Sequence, residues 1–220
     1  MDHGAAPDLR PVSTAVVVPV KAFTEAKVRL SPALDPATRV ELARAMAARV
    51  LRAARPLLTV VVCDDEEVRA WSERQGAEAL WTPELGLNGA VEAGVAHLAR
   101  RGVERVVVAH ADLPLARGLA WVADFSGVTL VPDRHLDGTN VAGVPAGSGF
   151  RFAYGPGSFA AHRAEATRLG LPVRLVRDEA LGWDVDLPAD LDVPSHLLLP
   201  IDVASLIPPA ALPVVEAPCP

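Results

Sequence analysis

The chain has 220 residues, half of them apolar and 22% charged, which is enough for one sizeable core and favours a single α/β domain. A formal net charge of -6 argues against non-specific nucleic-acid binding, so an anionic ligand would need a local basic patch or a metal. The two cysteines supply neither a disulfide framework nor a zinc cluster, and no signal peptide or membrane span is apparent, so a cytoplasmic protein without a membrane partner is expected.

Ala15 to Val20 is a short β-branched run that predicts a buried first strand, and a polar loop from Lys21 to Ser31 follows it. Asp35-Pro36 has the form of an N-cap with proline in the first turn, and apolar residues at helical spacing extend the helix from Pro36 to Arg55. Next come a strand at Leu57 to Val62, a helix at Glu66 to Arg74, a strand at Glu78 to Trp81, a helix at Gly89 to Arg100 and a strand at Arg105 to Ala109. This alternation predicts a doubly wound parallel core with right-handed crossovers. Further on, Val128 to Val131, Val141 to Val144 and Phe150 to Tyr154 read as strands between glycine-rich loops, expected as antiparallel additions at the sheet edge. Phe159 to Leu169 reads as a helix closed by Gly170, and Leu181 to Trp183 as a last buried strand. Residues 1–13 are expected to be a flexible N-terminus, 14–194 the folded domain, and 195–220 a proline-rich tail without catalytic residues.

Three segments carry chemistry. Asp112 follows one predicted strand, and Asp184 and Asp186 follow another, at the carboxyl ends where open α/β sheets bind ligands. Asp184 and Asp186 are two residues apart, which on a strand places both carboxylates on one face with Val185 pointing away. Two such carboxylates plus Asp112 suit magnesium, which prefers oxygen ligands and retains waters. The plainer reading makes Asp112 and Asp186 helix N-caps. Gly155-Pro156-Gly157-Ser158 stands where a helix would begin, so its free N–H groups suit an anion, unless Ser158 is an ordinary N-cap. Lys21, Lys27 and Arg29 flank the loop after the first strand, where they would neutralise a triphosphate or simply be solvated. His110 and His162 fit polar contacts near the site or structural positions.

Taken in order, Pro19-Val20-Lys21, Lys27-Val28-Arg29-Leu30, Leu87-Asn88-Gly89-Ala90, Ala111-Asp112-Leu113-Pro114, Asp133-Arg134 with Gly138-Thr139-Asn140, Gly155-Pro156-Gly157-Ser158-Phe159 with His162, and Asp184-Val185-Asp186 resemble the 2-phospho-L-lactate guanylyltransferase family. That family includes the phosphoenolpyruvate guanylyltransferases of coenzyme F-420 biosynthesis. The resemblance covers roughly Thr14 to Leu191. It implies a three-layer α/β fold like that of nucleotide-diphospho-sugar transferases (glycosyltransferase-A type), with a mixed, mostly parallel central sheet.

The resemblance further implies transfer of GMP from GTP to a small phosphorylated three-carbon acid. Asp112, Asp184 and Asp186 would hold magnesium and, with Lys27, form the catalytic set. Thr139, Gly155 and Ser158 would bind the phosphoacid, and Lys21, Lys27, Arg29 and Asn88 would bind GTP. The next enzyme of the pathway and a second copy of the chain are left open as partners. The long proline-rich tail after Asp192 departs from the family. The chain also lacks the glycine-rich first loop of the wider nucleotidyltransferases, with Lys21 to Arg29 in its place, a difference that favours this family over molybdopterin guanylyltransferases. Two other readings stay open: a nucleotidyltransferase acting on a sugar phosphate or a molybdopterin, and a silent GTP-binding regulatory module.

Overall fold

The computed structural model describes residues 13–198. The expectations for residues 1–12, and for the tail beyond residue 198, lie outside the described residues. Seven strands form one sheet: β1 (Thr14–Pro19), β2 (Leu58–Cys63), β3 (Glu78–Trp81), β4 (Arg105–Ala109), β5 (Val128–Pro132), β6 (Thr139–Pro145) and β7 (Val173–Leu175). Four α-helices accompany them among the described residues: α1 (Pro36–Ala54), α2 (Glu66–Arg74), α3 (Gly86–Arg100) and α4 (Ser158–Arg168). The strand order is β3-β2-β1-β4-β6-β5-β7.

The five inner strands, β2, β1, β4, β6 and β5, are buried on both faces over most of their length, and this is why they read as continuous apolar runs. Along β1, Val16 and Val18 pack with Ala47 and Val50 of α1 and Trp71 of α2, whereas Ala15 and Val17 pack with Val91 and Leu98 of α3. The result is the expected three-layer α/β architecture. Local signals set the helix starts: Asp35 Oδ1 accepts from Thr38 N at 3.0 Å before Pro36, and Asp65 Oδ1 accepts from Val68 N at 2.9 Å.

Four expectations are corrected. First, among the described residues the one reversed strand is β6, which lies inside the sheet, antiparallel to both β4 and β5, instead of at the edge. Second, β7 is an unforeseen strand, parallel to β5; three residues are too few to show a pattern. Third, Leu181 to Trp183 is not a strand. The carboxylates beyond it sit on an extended loop fastened by single hydrogen bonds.

The fourth correction concerns Phe150 to Tyr154. It has the alternating burial of a strand, yet it joins no sheet. Four successive backbone N–H groups donate instead to side chains: Arg151 to Glu165, Phe152 to Glu92, Ala153 to His162 and Tyr154 to Asn88. The acceptors alternate between α4 and α3. Phe150, Phe152 and Tyr154 pack beneath against those helices. Side chains here do what a neighbouring strand does elsewhere, satisfying backbone donors that burial would otherwise strand.

Candidate functional site

The loop after β1 and the segment after β4 face each other across a cleft of about 590 Å³. Lys21, Lys27, Arg29, Asp112 and Asp186 all line it. Lys27 is held in the left-handed region, with φ 56°, a conformation that costs a non-glycine residue about 1 to 3 kcal/mol and often marks a functional position. Its ammonium reaches Asp112 Oδ2 at 2.6 Å and Asp186 Oδ1 at 2.8 Å. These two contacts join three stretches of chain distant in sequence.

Burial alone would push the Lys27 ammonium toward neutrality, but the charges of Asp112 and Asp186 outweigh it and raise its pKa. Burial likewise pushes the Asp112 carboxyl up, and the adjacent Lys27 ammonium reverses this and holds it below the ordinary range. Asp184 differs. Burial, and then the Asp112 charge, push its carboxyl above the usual range.

The Asp184 to Asp186 loop is fixed from three sides. Val185 is buried beside Leu30, Leu42 and Met46, and its N–H donates to the Asp112 carbonyl at 3.2 Å. Val185 is thus buried while the Asp186 side chain, on the cleft wall, is about half exposed; Asp184 is not among the residues that line the cleft. Arg134 Nη1 donates to the Asp184 carbonyl at 3.1 Å, Arg134 Nη2 pairs with Asp190, and the guanidinium lies 4.4 Å from the Trp183 ring centroid. Asp190 Oδ2 accepts from the N–H groups of Asp186 and Leu187 at 2.8 and 2.7 Å. Asn140 Nδ2 donates to the Leu181 carbonyl at 2.9 Å and to Asp184 Oδ1 at 3.3 Å.

Arg134, Asn140 and Asp190 were not singled out as site residues by the sequence reading. A signal existed for Asp190: it stands two residues after Pro188, in the first turn of the single 3-10 turn Pro188–Leu191, where an acidic side chain can accept from preceding N–H groups. Arg134 stands in a motif of the family resemblance, but nothing local in the sequence gives its role, because its partners lie about 50 residues away.

Thr139 and Ser158 come together on the other side of Asn140. Thr139 N donates to Ser158 Oγ at 3.0 Å, and both residues are 2% exposed. Ser158 is therefore not the N-cap of α4; Gly157 occupies that position. The anion expected at this helix start meets N–H groups already engaged: Gly157 N with the Asp137 carboxylate, Ser158 N with the Gly155 carbonyl and Phe159 N with the Asp137 carbonyl. Gly155, at φ 137°, makes the turn into the helix in a conformation open to glycine.

Asn88 does not line the cleft; its neighbour Leu87 does. The Asn88 amide accepts from Tyr154 N at 2.7 Å and donates to the Tyr154 carbonyl at 3.3 Å. Asp112 is likewise no N-cap, because no helix follows it.

Among the described residues no group of three or more His, Cys, Asp or Glu side chains forms a ready metal cage, since the Lys27 ammonium stands between Asp112 and Asp186. The donor set still fits a hard cation. All of its ligands are oxygens, and Asp112 Oδ1 is buried without any hydrogen-bond partner.

Comparison with known proteins agrees with this architecture. A phosphoenolpyruvate guanylyltransferase of Sphaerobacter thermophilus is 38% identical over 190 residues, spanning 82% of this chain and 92% of the relative. One from Conexibacter woesei is 36% identical over 200 residues, spanning 85% and 89%. In fold the chain is similar to a Desulfovibrio desulfuricans G20 protein assigned as a nucleotide-diphospho-sugar transferase, with a TM-score of 0.69, 18% identity and coverage of 88% and 91%. Residues 14–195 match the family described as guanylyl transferase CofC like, and with relatives of this similarity over four-fifths of its length, the chain belongs to that family.

Proposed function

We propose that this protein transfers GMP from GTP to the phosphate of phosphoenolpyruvate, as a cytoplasmic, magnesium-dependent step of coenzyme F-420 biosynthesis. The observation that carries the reading is the cleft in which Lys27 bridges Asp112 and Asp186 beside Lys21 and Arg29. It combines carboxylates for a cation with cations for a triphosphate. The choice of acceptor is supported by the relatives, which are named for phosphoenolpyruvate. No described helix is long and apolar enough to cross a membrane.

In this reading an oxygen of the acceptor phosphate attacks the α-phosphorus of GTP. The bond to the β-phosphate oxygen breaks, and pyrophosphate departs with the electron pair. A phosphomonoester has its second pKa near about 6 and is already largely dianionic at neutral pH, so no general base is needed. Asp112, Asp184 and Asp186 would hold magnesium, which when bound offsets phosphate charge. Lys21, Lys27 and Arg29 bind the triphosphate and stabilise the departing pyrophosphate. Thr139, Gly155 and Ser158 receive the phosphoacid, and Asn88 contributes by holding the Tyr154 backbone.

Pyrophosphate release is the test, with GTP, magnesium and phosphoenolpyruvate, 2-phospho-L-lactate or 3-phosphoglycerate in parallel, and mass detection of the guanylylated acid. Release with phosphoenolpyruvate is expected, and its loss in Asp112→Asn by roughly 100- to 1,000-fold. Turnover with 2-phospho-L-lactate alone replaces the acceptor. Turnover only with a sugar phosphate or a pterin, or GTP binding without release, overturns the reading.

A further inference from the structure

His162 is fully buried, at 0% exposure, and both ring nitrogens are engaged. Ala153 N donates to Nε2 at 2.9 Å, and Nδ1 lies 3.0 Å from Thr139 Oγ1. A backbone N–H has no role except donor, so Nε2 must present its lone pair. The ring proton of the neutral imidazole is then on Nδ1, and Thr139 Oγ1 accepts it. With that lone pair committed, the Thr139 hydroxyl proton must go to some other acceptor. Among the described residues no acceptor takes it. Ser158 repeats the pattern: its Oγ accepts from Thr139 N, and no described residue takes its hydroxyl proton. Two neighbouring buried hydroxyls, each with its accepting side occupied, are set up as donors, which suits a ligand offering only acceptor oxygens.

We propose that His162 is a positioning residue for the phosphoacid, its Nδ1–H fixing the Thr139 hydroxyl as a hydrogen-bond donor to the acceptor's anionic oxygens. The proposal rests on the reading of Thr139 and Ser158 as the acceptor subsite. The surroundings keep the imidazole in the required state. Tyr154 packs edge-on at 4.8 Å, and burial, with the nearby His110, pushes the His162 pKa down to about 4. Protonation would also set an Nε2–H against the Ala153 N–H.

Two amide replacements separate this role from a structural one. The glutamine amide reaches the level of Nε2 and can still accept from Ala153 N; the asparagine amide reaches only the level of Nδ1 and can still donate to Thr139. His162→Gln is expected to raise KM for phosphoenolpyruvate roughly 10-fold, the size of one lost hydrogen bond to a charged group, with kcat and KM for GTP unchanged. His162→Asn is expected to stay near wild type in KM. In a Thr139→Val background His162→Gln adds nothing, because both act through one hydroxyl.

Multiplying effects, or equal losses in the two amide variants, overturn the proposal. If Thr139→Val itself leaves the acceptor KM unchanged, the acceptor subsite has been misplaced and the proposal falls with it. If Thr139→Val raises it while His162→Gln does not, only the role of His162 is refuted. The imidazole nitrogen NMR shifts of the unmodified protein give a check that needs no variant: an Nδ1–H tautomer is expected, and an Nε2–H tautomer refutes the proposal.

Discussion

Both halves of the sheet are held by ladders, but they position functional side chains by different means. From β1 to α3 the chain alternates strand and helix, and parallel ladders with buried aliphatic faces fix the cleft that carries Lys21, Lys27 and Arg29. From β5 to the Asp184 loop, position is set by single side chains reaching far through the sequence: Asn140 to Asp184, Arg134 to Asp190, His162 to Thr139. A ladder spreads its register over many bonds, whereas here each functional group rests on one or two contacts. Single substitutions should therefore act locally and sharply in the second half, and diffusely in the first.

Removing the contact that joins the halves gives the largest expected effect. Lys27→Met leaves Asp112 without a partner on either oxygen, at a cost of about 3 kcal/mol, the low end for breaking a buried pair because the Asp112 side chain keeps 21% of its surface. Chemical denaturation measures it, and added magnesium should restore part of the loss. An unchanged midpoint would mean that the halves are held together elsewhere.

The pH dependence of His162 is next. Its folded pKa, about 4, lies below the unfolded value of about 6.5, so the native state binds fewer protons; the stabilisation is complete above pH 6.5 and is lost as pH falls toward 4. The gap corresponds to at most about 3 kcal/mol. The stability difference between wild type and His162→Gln should shrink across that window, and a difference constant with pH would contradict the buried neutral imidazole.

Two glycines compare the halves directly. A Cβ at Gly94 would stand 2.8 Å from Val62 Cγ1 and 3.0 Å from Val17 Cγ1, and one at Gly143 would stand 2.6 Å from the Val122 carbonyl oxygen. Each alanine should cost about 1 to 3 kcal/mol, with Gly143→Ala the worse because a carbonyl yields less readily than a methyl group. The reverse order in thermal melts would erase the contrast. Smallest of all is Asp65→Ala, which removes the cap of α2 and should cost about 1 kcal/mol without changing KM for either substrate.

The same contrast governs what could be read from the sequence. Strands and helices through β4 follow from local periodicity and caps, and the predicted ends fall within a few residues of those observed; α3, which starts at Gly86 instead of Gly89, is the widest miss at three residues. Lys27 and Asp112 were legible because they follow β1 and β4 at one edge of the sheet, whereas Asp186 was named from a predicted strand that the structure replaces with a loop. The reversal of β6, the three-residue β7 and the loop at Asp184 were not legible, because pairing and long-range hydrogen bonds decide them. Ser158 was named, but its partner Thr139 N is a backbone group 19 residues away, which no cap pattern reveals. The segment from Phe150 to Tyr154 misled for a related reason: its alternation is that of a strand, and only its hydrogen-bond partners are not.

That segment is tied alternately to α3 and α4, the helices behind the two halves. A true strand slips in register by whole steps, and a slip of one residue turns every side chain over. Here every rung is a separate residue, Asn88, Glu92, His162 or Glu165, and each can be lengthened, shortened or removed while the other three persist. The way this segment spans α3 and α4 is thus set by four separate side chains, without recutting the sheet.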